Sequence, residues 1–149
     1  MSASYFQVLG VSPALGLNFD SSDDRVNGPN LVIISEGLWQ RRFNGEGTIV
    51  GRQVTLNSSN FTVIGVMPRA FENVLAPKVE VWSLLQYDAS LPSFEGREWG
   101  HHLRMVGRLP SGVGIEQMLQ RVEGDWTVEV VARVSDFDEF RTKLGVPVD

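Results

Sequence analysis

Residues 31–68 read LVIISEGLWQRRFNGEGTIVGRQVTLNSSNFTVIGVMP, and they predict the central elements of the fold. It opens with the apolar run LVII, which is long enough for a buried strand and too short for a helix. Ser35 comes next, and its hydroxyl can accept one of the free amide hydrogens of a following first helical turn. Gly45 and Gly47 then end the helix. The stretch therefore predicts a strand followed by a short capped helix.

The second half of the stretch predicts a β-hairpin. Residues 53–56 and 61–66 alternate between apolar and polar side chains on either side of the polar connection 57–60, which is a typical hairpin pattern. Gly65 lies inside the second strand and indicates a bulge or a close approach of another backbone.

The flanking regions supply further elements. The N-terminus predicts a helix from Tyr5 to Leu9, capped by Ser2 or Ser4 and ended by Gly10. After the hairpin, residues 79–82 predict a short strand, and residues 86–100 a long loop. The C-terminal half predicts a strand at 103–109, a turn at 110–112, a helix along Ile115, Met118, Leu119 and Val122, a strand at 126–134 and a last helix with Phe137, Phe140 and Leu144.

Composition excludes several classes of protein. The chain has 149 residues, a net charge of −5 and no cysteine. The net negative charge argues against binding to nucleic acid or to an anionic membrane surface. Without cysteine there are no disulfides, zinc thiolate sites or thiol nucleophiles. No run approaches the ~18 apolar residues of a membrane helix, and the N-terminus lacks the pattern of a signal peptide.

Several motifs carry a resemblance to a known family. The strings SEGLWQRRF, IVGRQVTLN and FTVIGVMPRAF, preceded by SASYFQVLGVSPALG and followed by LRMVGRLPSGVGIEQ, are similar to the periplasmic core domain of MacB-like ABC-transporter permeases of the FtsX/MacB type. The resemblance covers roughly residues 2–122. The tail beyond Val122 diverges from it.

The resemblance implies an α+β fold, with an incomplete porter-like βαβ lobe and a mostly-β lobe inserted in it. Residues 1–18 and 101–149 would form the porter-like lobe, and residues 19–100 the inserted lobe. The family's first porter strand and helix would precede this chain. An incomplete lobe leaves an open strand edge, and such edges pair with other strands, so a homodimer is expected.

The resemblance also implies a function. In the family this domain is non-enzymatic, lies outside the cytoplasm in the periplasm, binds other transporter subunits and conveys the motion driven by the ATPase. It needs no cofactor. Family permeases carry membrane helices on both sides of this domain, and this sequence has none. It is therefore expected to be a soluble fragment, a truncated reading frame or an isolated copy.

A second hypothesis is a small ester or lactone hydrolase that depends on Ca²⁺ or Mg²⁺. Asp20, Asp23 and Asp24 fall within five residues, and carboxylate oxygens suit these hard cations. His101 or His102 would be the general base for a metal-bound water. The plainer interpretations are a solvated acidic turn and a polar loop. A third hypothesis is a dimeric module with no ligand.

Three residues are candidates for contact with a protein partner. Arg41 and Arg42 lie on the solvent side of the predicted helix and could meet an acidic surface, and Trp99 lies in a polar loop. An exposed aromatic side chain in such a loop is a common contact residue.

Overall fold

The computed structural model describes residues 1–73, 75–86 and 106–120. It contains α1 (Tyr5–Leu9), β1 (Leu15–Gly16), β2 (Leu31–Ile34), α2 (Glu36–Phe43), a 3₁₀ turn (Gly47–Ile49), β3 (Gln53–Leu56), β4 (Ser59–Val66), β5 (Val81–Ser83) and α3 (Ile115–Leu119). This mixture of helices and one sheet confirms the predicted α+β class.

The start of α2 forms as its sequence predicts. Ser35 has an extended backbone, and its hydroxyl accepts a hydrogen bond of 3.0 Å from the Leu38 amide. The helix ends one residue earlier than the glycines alone suggest. Asn44 already adopts a left-handed conformation, with φ of 51°, which asparagine tolerates better than most residues.

The cap predicted for α1 is wrong, although the helix is present. Ser4 keeps a helical backbone and makes no side-chain cap bond. Its hydroxyl lies 3.2 Å from that of Ser2 instead. Gly10 ends the helix in a left-handed conformation, as predicted.

The hairpin between β3 and β4 is tighter than the sequence pattern suggests. Leu56 pairs with Ser59, so the connection is the two-residue turn Asn57-Ser58. Both turn residues have positive φ, 47° and 67°, as a type I′ turn requires. The turn therefore lengthens β4 to eight residues.

The longest strand, β4, organises the sheet. It runs parallel to β2, which pairs on its other side with β5 in antiparallel fashion. The opposite edge of β4 pairs with β3 along its first half and with β1 at its end. The parallel contact joins segments that the sequence pattern does not pair.

A bulge in β4 lets two strands share one edge. The register passes from Val32↔Val63 to Ile33↔Gly65, so Ile64 is an extra residue. The carbonyl of Val63 accepts from the Gly51 amide and that of Ile64 from the Leu17 amide, both at 2.8 Å. Two consecutive carbonyls thus serve the same edge, which a regular strand does not allow.

Glycine is required where β1 crosses close to this bulge. A Cβ on Gly16 would lie 2.1 Å from the Ile64 carbonyl oxygen, and the φ of Gly16 is +82°. A Cβ on the paired Gly65 would lie 2.7 Å from the Leu17 carbonyl oxygen. Both interpretations of Gly65, a bulge and a close backbone approach, are confirmed.

Successive residues of β2 pack into two separate hydrophobic cores, one on each face of the sheet. The face that carries α1 holds an aromatic cluster, whose buried members are Ala3, Phe6, Leu9, Val11, Phe19, Ile33, Met67, Phe71 and Trp82. The face that carries α2 holds an aliphatic cluster, whose buried members are Val32, Ile34, Ile49, Val63 and Val66. The described chain is therefore a helix–sheet–helix sandwich of three layers.

The remaining predictions fare differently. The strand predicted at 79–82 is confirmed, but it begins at Val81. Residues 106–110 are not in a strand. The side chain of Arg108 attaches this segment to α1, because its guanidinium donates to the Val8 carbonyl at 2.6 Å. The turn at 110–112 and the start of α3 are confirmed.

Other predictions fall partly or wholly outside the described residues. These are the long loop at 86–100, the start of the strand at 103–109, the end of the helix at Val122, the strand at 126–134 and the last helix. The division into a porter-like lobe and an inserted lobe stays a prediction. Residues of both proposed lobes already share one sheet, because β1 pairs with β4.

Candidate functional site

The acidic run folds into a tight turn that uses its own backbone. The Asp20 carboxylate accepts a 2.8 Å hydrogen bond from the Ser22 amide, and its carbonyl accepts from the Asp23 amide. Hydrogen bonds from the Ser22 hydroxyl and amide hold the pKa of Asp20 below its ordinary value. Asp20 is therefore an exposed, ionised turn residue.

Asp24 acts as a clamp between distant segments. One carboxylate oxygen accepts from the Ala3 amide at 2.9 Å, and the other accepts from the Gln86 amide at 3.0 Å. Next to it, the Leu85 amide donates to the Met1 carbonyl at 2.8 Å. The carboxylate thus fixes the start of the chain against the segment after β5.

The described residues form no cluster that supports the metal hypothesis. Within residues 1–73, 75–86 and 106–120, no three histidine, cysteine or acidic side chains converge to hold a metal ion. His101 and His102 lie outside the described residues. Sites at Asp20, Asp23 and Asp24 for Ca²⁺ or Mg²⁺, and a base at either histidine, stay predictions.

Arg41 and Arg42 have different environments. The Arg41 guanidinium binds Glu80 through two hydrogen bonds, of 2.9 and 2.7 Å. The guanidinium lowers the pKa of Glu80, aided by the Ser35 hydroxyl at 3.4 Å. Arg42 is exposed on the same helix and forms no ion pair with the described residues. Trp99 lies outside the described residues.

No local sequence pattern indicates the role of Glu80, because its partner Arg41 lies 39 residues away. Together Ser35, Arg41 and Glu80 tie the two ends of α2 to the residue just before β5. Arg41 is thus paired within the molecule, although its side chain stays largely exposed, and Arg42 is the cation of α2 that has no ion-pair partner among the described residues.

A second polar centre that sequence reasoning missed is Asn73. Its side-chain oxygen accepts from the Tyr5 hydroxyl at 2.7 Å and from the amides of Leu75 and Ala76. Burial raises the pKa of Tyr5 to about 12. A lone asparagine in an irregular segment carries no sequence signature, so only the fold shows its role.

The described polar side chains thus serve the architecture. Asp24, Asn73 and Glu80 bond to backbone amides or to other side chains of the same chain. No histidine lies within the described part of the chain, and Ser35 is used as a helix cap. The fold and these contacts define a small α+β module.

Comparison with known proteins gives the family. A family model for the MacB-like periplasmic core domain matches residues 1–125, so the chain belongs to the MacB-like periplasmic core domain family. This confirms the predicted resemblance to that domain of ABC-transporter permeases. The comparison offers no support for the hydrolase hypothesis.

Among solved structures, the chain is similar to the periplasmic region of MacB from Actinobacillus actinomycetemcomitans. The sequence identity is 23% and the TM-score is 0.45, over 57% of this chain and 36% of that one. The chain therefore spans little more than a third of that relative. No curated protein matches the chain.

The longest helix within the described residues, α2, has eight residues. None of the described helices is long and apolar enough to cross a bilayer.

Proposed function

We propose that the chain works in the periplasm as the non-enzymatic core domain of an ABC-transporter permease. In this role it binds other transporter subunits and passes the motion of the transporter to them. The family match over residues 1–125 carries the proposal. No cofactor takes part in this role.

The contacts between elements support a role in transmitting motion. The helix α2 is attached to the residue before β5 by the Arg41–Glu80 pair, and β5 pairs with β2 in the centre of the sheet. Asp24 then links the segment after β5 to the start of the chain. A force on the exposed side of α2 would therefore reach the opposite face of the sheet.

The proposed contact surface is the outer side of α2. Arg42 is its exposed cation, and an acidic patch on another subunit is the complement that it would attract. Trp99 is proposed as a second contact. Arg41 would contribute through its exposed side, since more than half of its side chain stays accessible despite the ion pair.

Photo-cross-linking tests this surface. A photoreactive amino acid replaces Arg42 of the chain, which is expressed in the cells it comes from. We expect adducts to a transporter subunit, identified by mass spectrometry. The control position is Gln7, which is exposed on α1 at the other face. Equal labelling from both positions, or no adduct from Arg42, would contradict the proposal.

An activity assay tests the non-enzymatic part. The purified chain is offered a panel of short esters and lactones, with Ca²⁺ or Mg²⁺ and then with chelator. We expect no turnover above a boiled control. Turnover that chelator removes, and that Asp23→Ala or His102→Ala abolishes, would instead establish the hydrolase hypothesis.

A further inference from the structure

The outer edge of β3 is the longest edge in the described part of the sheet that pairs with no other described strand. On the other side of the sheet, β5 has only three residues, and the nitrogen of residue 1 donates to the carbonyl of its last residue, Ser83, at 2.8 Å. The strand β1 has only two residues. β3 has four residues and pairs with β4 alone.

A glycine bulge decides which groups of β3 face outward. The Val63 amide donates to the Arg52 carbonyl at 2.9 Å, and Val63 accepts from Gly51, whose φ is +89°. This is the geometry of a G1 bulge. In an antiparallel ladder, hydrogen-bonded pairs alternate, so Val54 and Leu56 bond to β4. Gln53 and Thr55 therefore direct their N–H and C=O groups away from it.

These outward groups are accessible. Gln53 and Thr55 are both exposed. Neither residue takes part in a backbone hydrogen bond to another element of the described chain. A Cβ placed on Gly51 or Gly47, beside the start of the strand, would meet no atom within 4 Å. An incoming strand would thus find open space.

The edge is complementary to itself. When a second β3 lies antiparallel to it about a two-fold axis at Val54, each Gln53 stands opposite the Thr55 of the copy. The two outward donors and two outward acceptors of one strand then match those of the other. Val54 faces its own copy, and β-branched pairs of this kind stabilise sheets. Charged side chains and proline usually protect an edge strand from pairing with another chain. Residues 53–56 contain neither.

We propose that β3 pairs with β3 of a second copy of this chain and joins the two sheets into one. This inference specifies the homodimer that the sequence predicts. It depends on the geometry of the edge and not on the transporter role, so either can fail without the other. Because the strand is short, the dimer is weak, and the dimeric fraction rises with protein concentration.

Two substitutions at one position test the pairing. Thr55→Pro removes the outward N–H and leaves the ladder to β4 intact, because proline is tolerated where the N–H faces solvent. Thr55→Ala is the matched control: both variants lose the 3.0 Å bond from the Thr55 hydroxyl to Asn60, but alanine keeps the N–H. Sedimentation is measured over a range of concentrations, and circular dichroism verifies the fold.

We expect wild type and Thr55→Ala to dimerise as concentration rises, and Thr55→Pro to dimerise at least about tenfold more weakly. A wild type that stays monomeric would overturn the proposal. So would a Thr55→Pro dimer as strong as that of Thr55→Ala.

Hydrogen exchange on the wild type gives an independent measurement that needs no variant. We expect the amides of Gln53 and Thr55 to gain protection as protein concentration rises, while the amide of Gln7 on α1 does not change. Dimerisation without added protection at Gln53 and Thr55 would assign the dimer to another surface and overturn the proposal.

Discussion

The two faces of the sheet use the same strands but are built in opposite ways. The aliphatic cluster under α2 is local, since all its buried members lie between residues 32 and 66. The aromatic cluster under α1 takes its buried members from Ala3 to Trp82. Its segments are held in place by polar contacts, namely the Asp24 clamp and the Asn73 centre.

The difference shows how one strand can serve two kinds of core. The aliphatic face depends on regular secondary structure, with a helix cap, a hairpin and a strand ladder. The aromatic face depends on large rings that fill the space between irregular segments. Phe6 contacts four other rings, with centroids 5.6 Å from Tyr5, 5.6 Å from Phe71, 5.8 Å from Trp82 and 6.4 Å from Phe19. We therefore expect stability to depend most on the aromatic face.

The strongest test of this comparison removes one phenylalanine from each face. Phe6 is fully buried, so Phe6→Ala is expected to cost about 3–5 kcal/mol of unfolding free energy. Phe43, on α2, is only half-buried. Phe43→Ala leaves a smaller cavity and should cost clearly less. Urea denaturation measures both. Equal losses would contradict the greater dependence on the aromatic face.

A second test disturbs the sheet that the two faces share. Gly16→Ala places a Cβ against the Ile64 carbonyl and forces a left-handed alanine, so we expect a loss of at least about 1–3 kcal/mol. Gly47→Ala is the matched control, because a Cβ there meets nothing within 4 Å. Thermal unfolding compares the two. A Gly16→Ala protein as stable as Gly47→Ala would show that β1 does not approach β4 this closely.

The clamp of the aromatic face is tested by Asp24→Asn. An asparagine keeps one acceptor oxygen of the two that bond to Ala3 and Gln86. We therefore expect a loss of about 1 kcal/mol. Asp23→Asn, one residue earlier, touches neither amide and should leave the denaturation midpoint unchanged. If the two variants behave alike, Asp24 is not a clamp.

The smallest expected effect is a change of stability at alkaline pH. The pKa of Tyr5 rises from 10.0 to about 12 on folding, so the folded state holds its proton more tightly. This stabilisation is present below pH 10 and is lost as the pH rises toward about 12. Tyr5→Phe should lack this loss. Denaturation of both proteins across that pH range measures it, and parallel pH profiles would refute it.

The local features of the aliphatic face could be predicted from the sequence. The Ser35 cap, the hairpin and the irregularity at Gly65 depend on neighbouring residues, and all three are present. The predictions that proved incomplete concern pairings across the chain. Nothing near Leu31 or Thr62 indicates that β2 and β4 lie parallel, because such pairing is decided by distant packing.

The candidate site residues divide in the same way. The acidic run stands out in the sequence, but its pattern does not distinguish a metal ligand from a carboxylate that bonds to backbone amides, and Asp24 bonds to two of them. Arg41 and Arg42 look alike in the sequence, although Arg41 has a partner in Glu80 that no local pattern indicates. Which residues of β3 direct their N–H and C=O groups outward depends on which residues bond to β4, and the bulge at Gly51 decides this.

The different spans of the two clusters also order the folding reaction. Closing a long loop costs more entropy than closing a short one, and non-local contacts slow folding. We therefore expect the segment 31–66 to form its helix, hairpin and β2–β4 contact first. The aromatic face would follow, since the nitrogen of residue 1 and the Ser83 carbonyl are 82 residues apart. Newly made chains would thus spend their first moments with the aromatic rings still in water, where they are prone to aggregate.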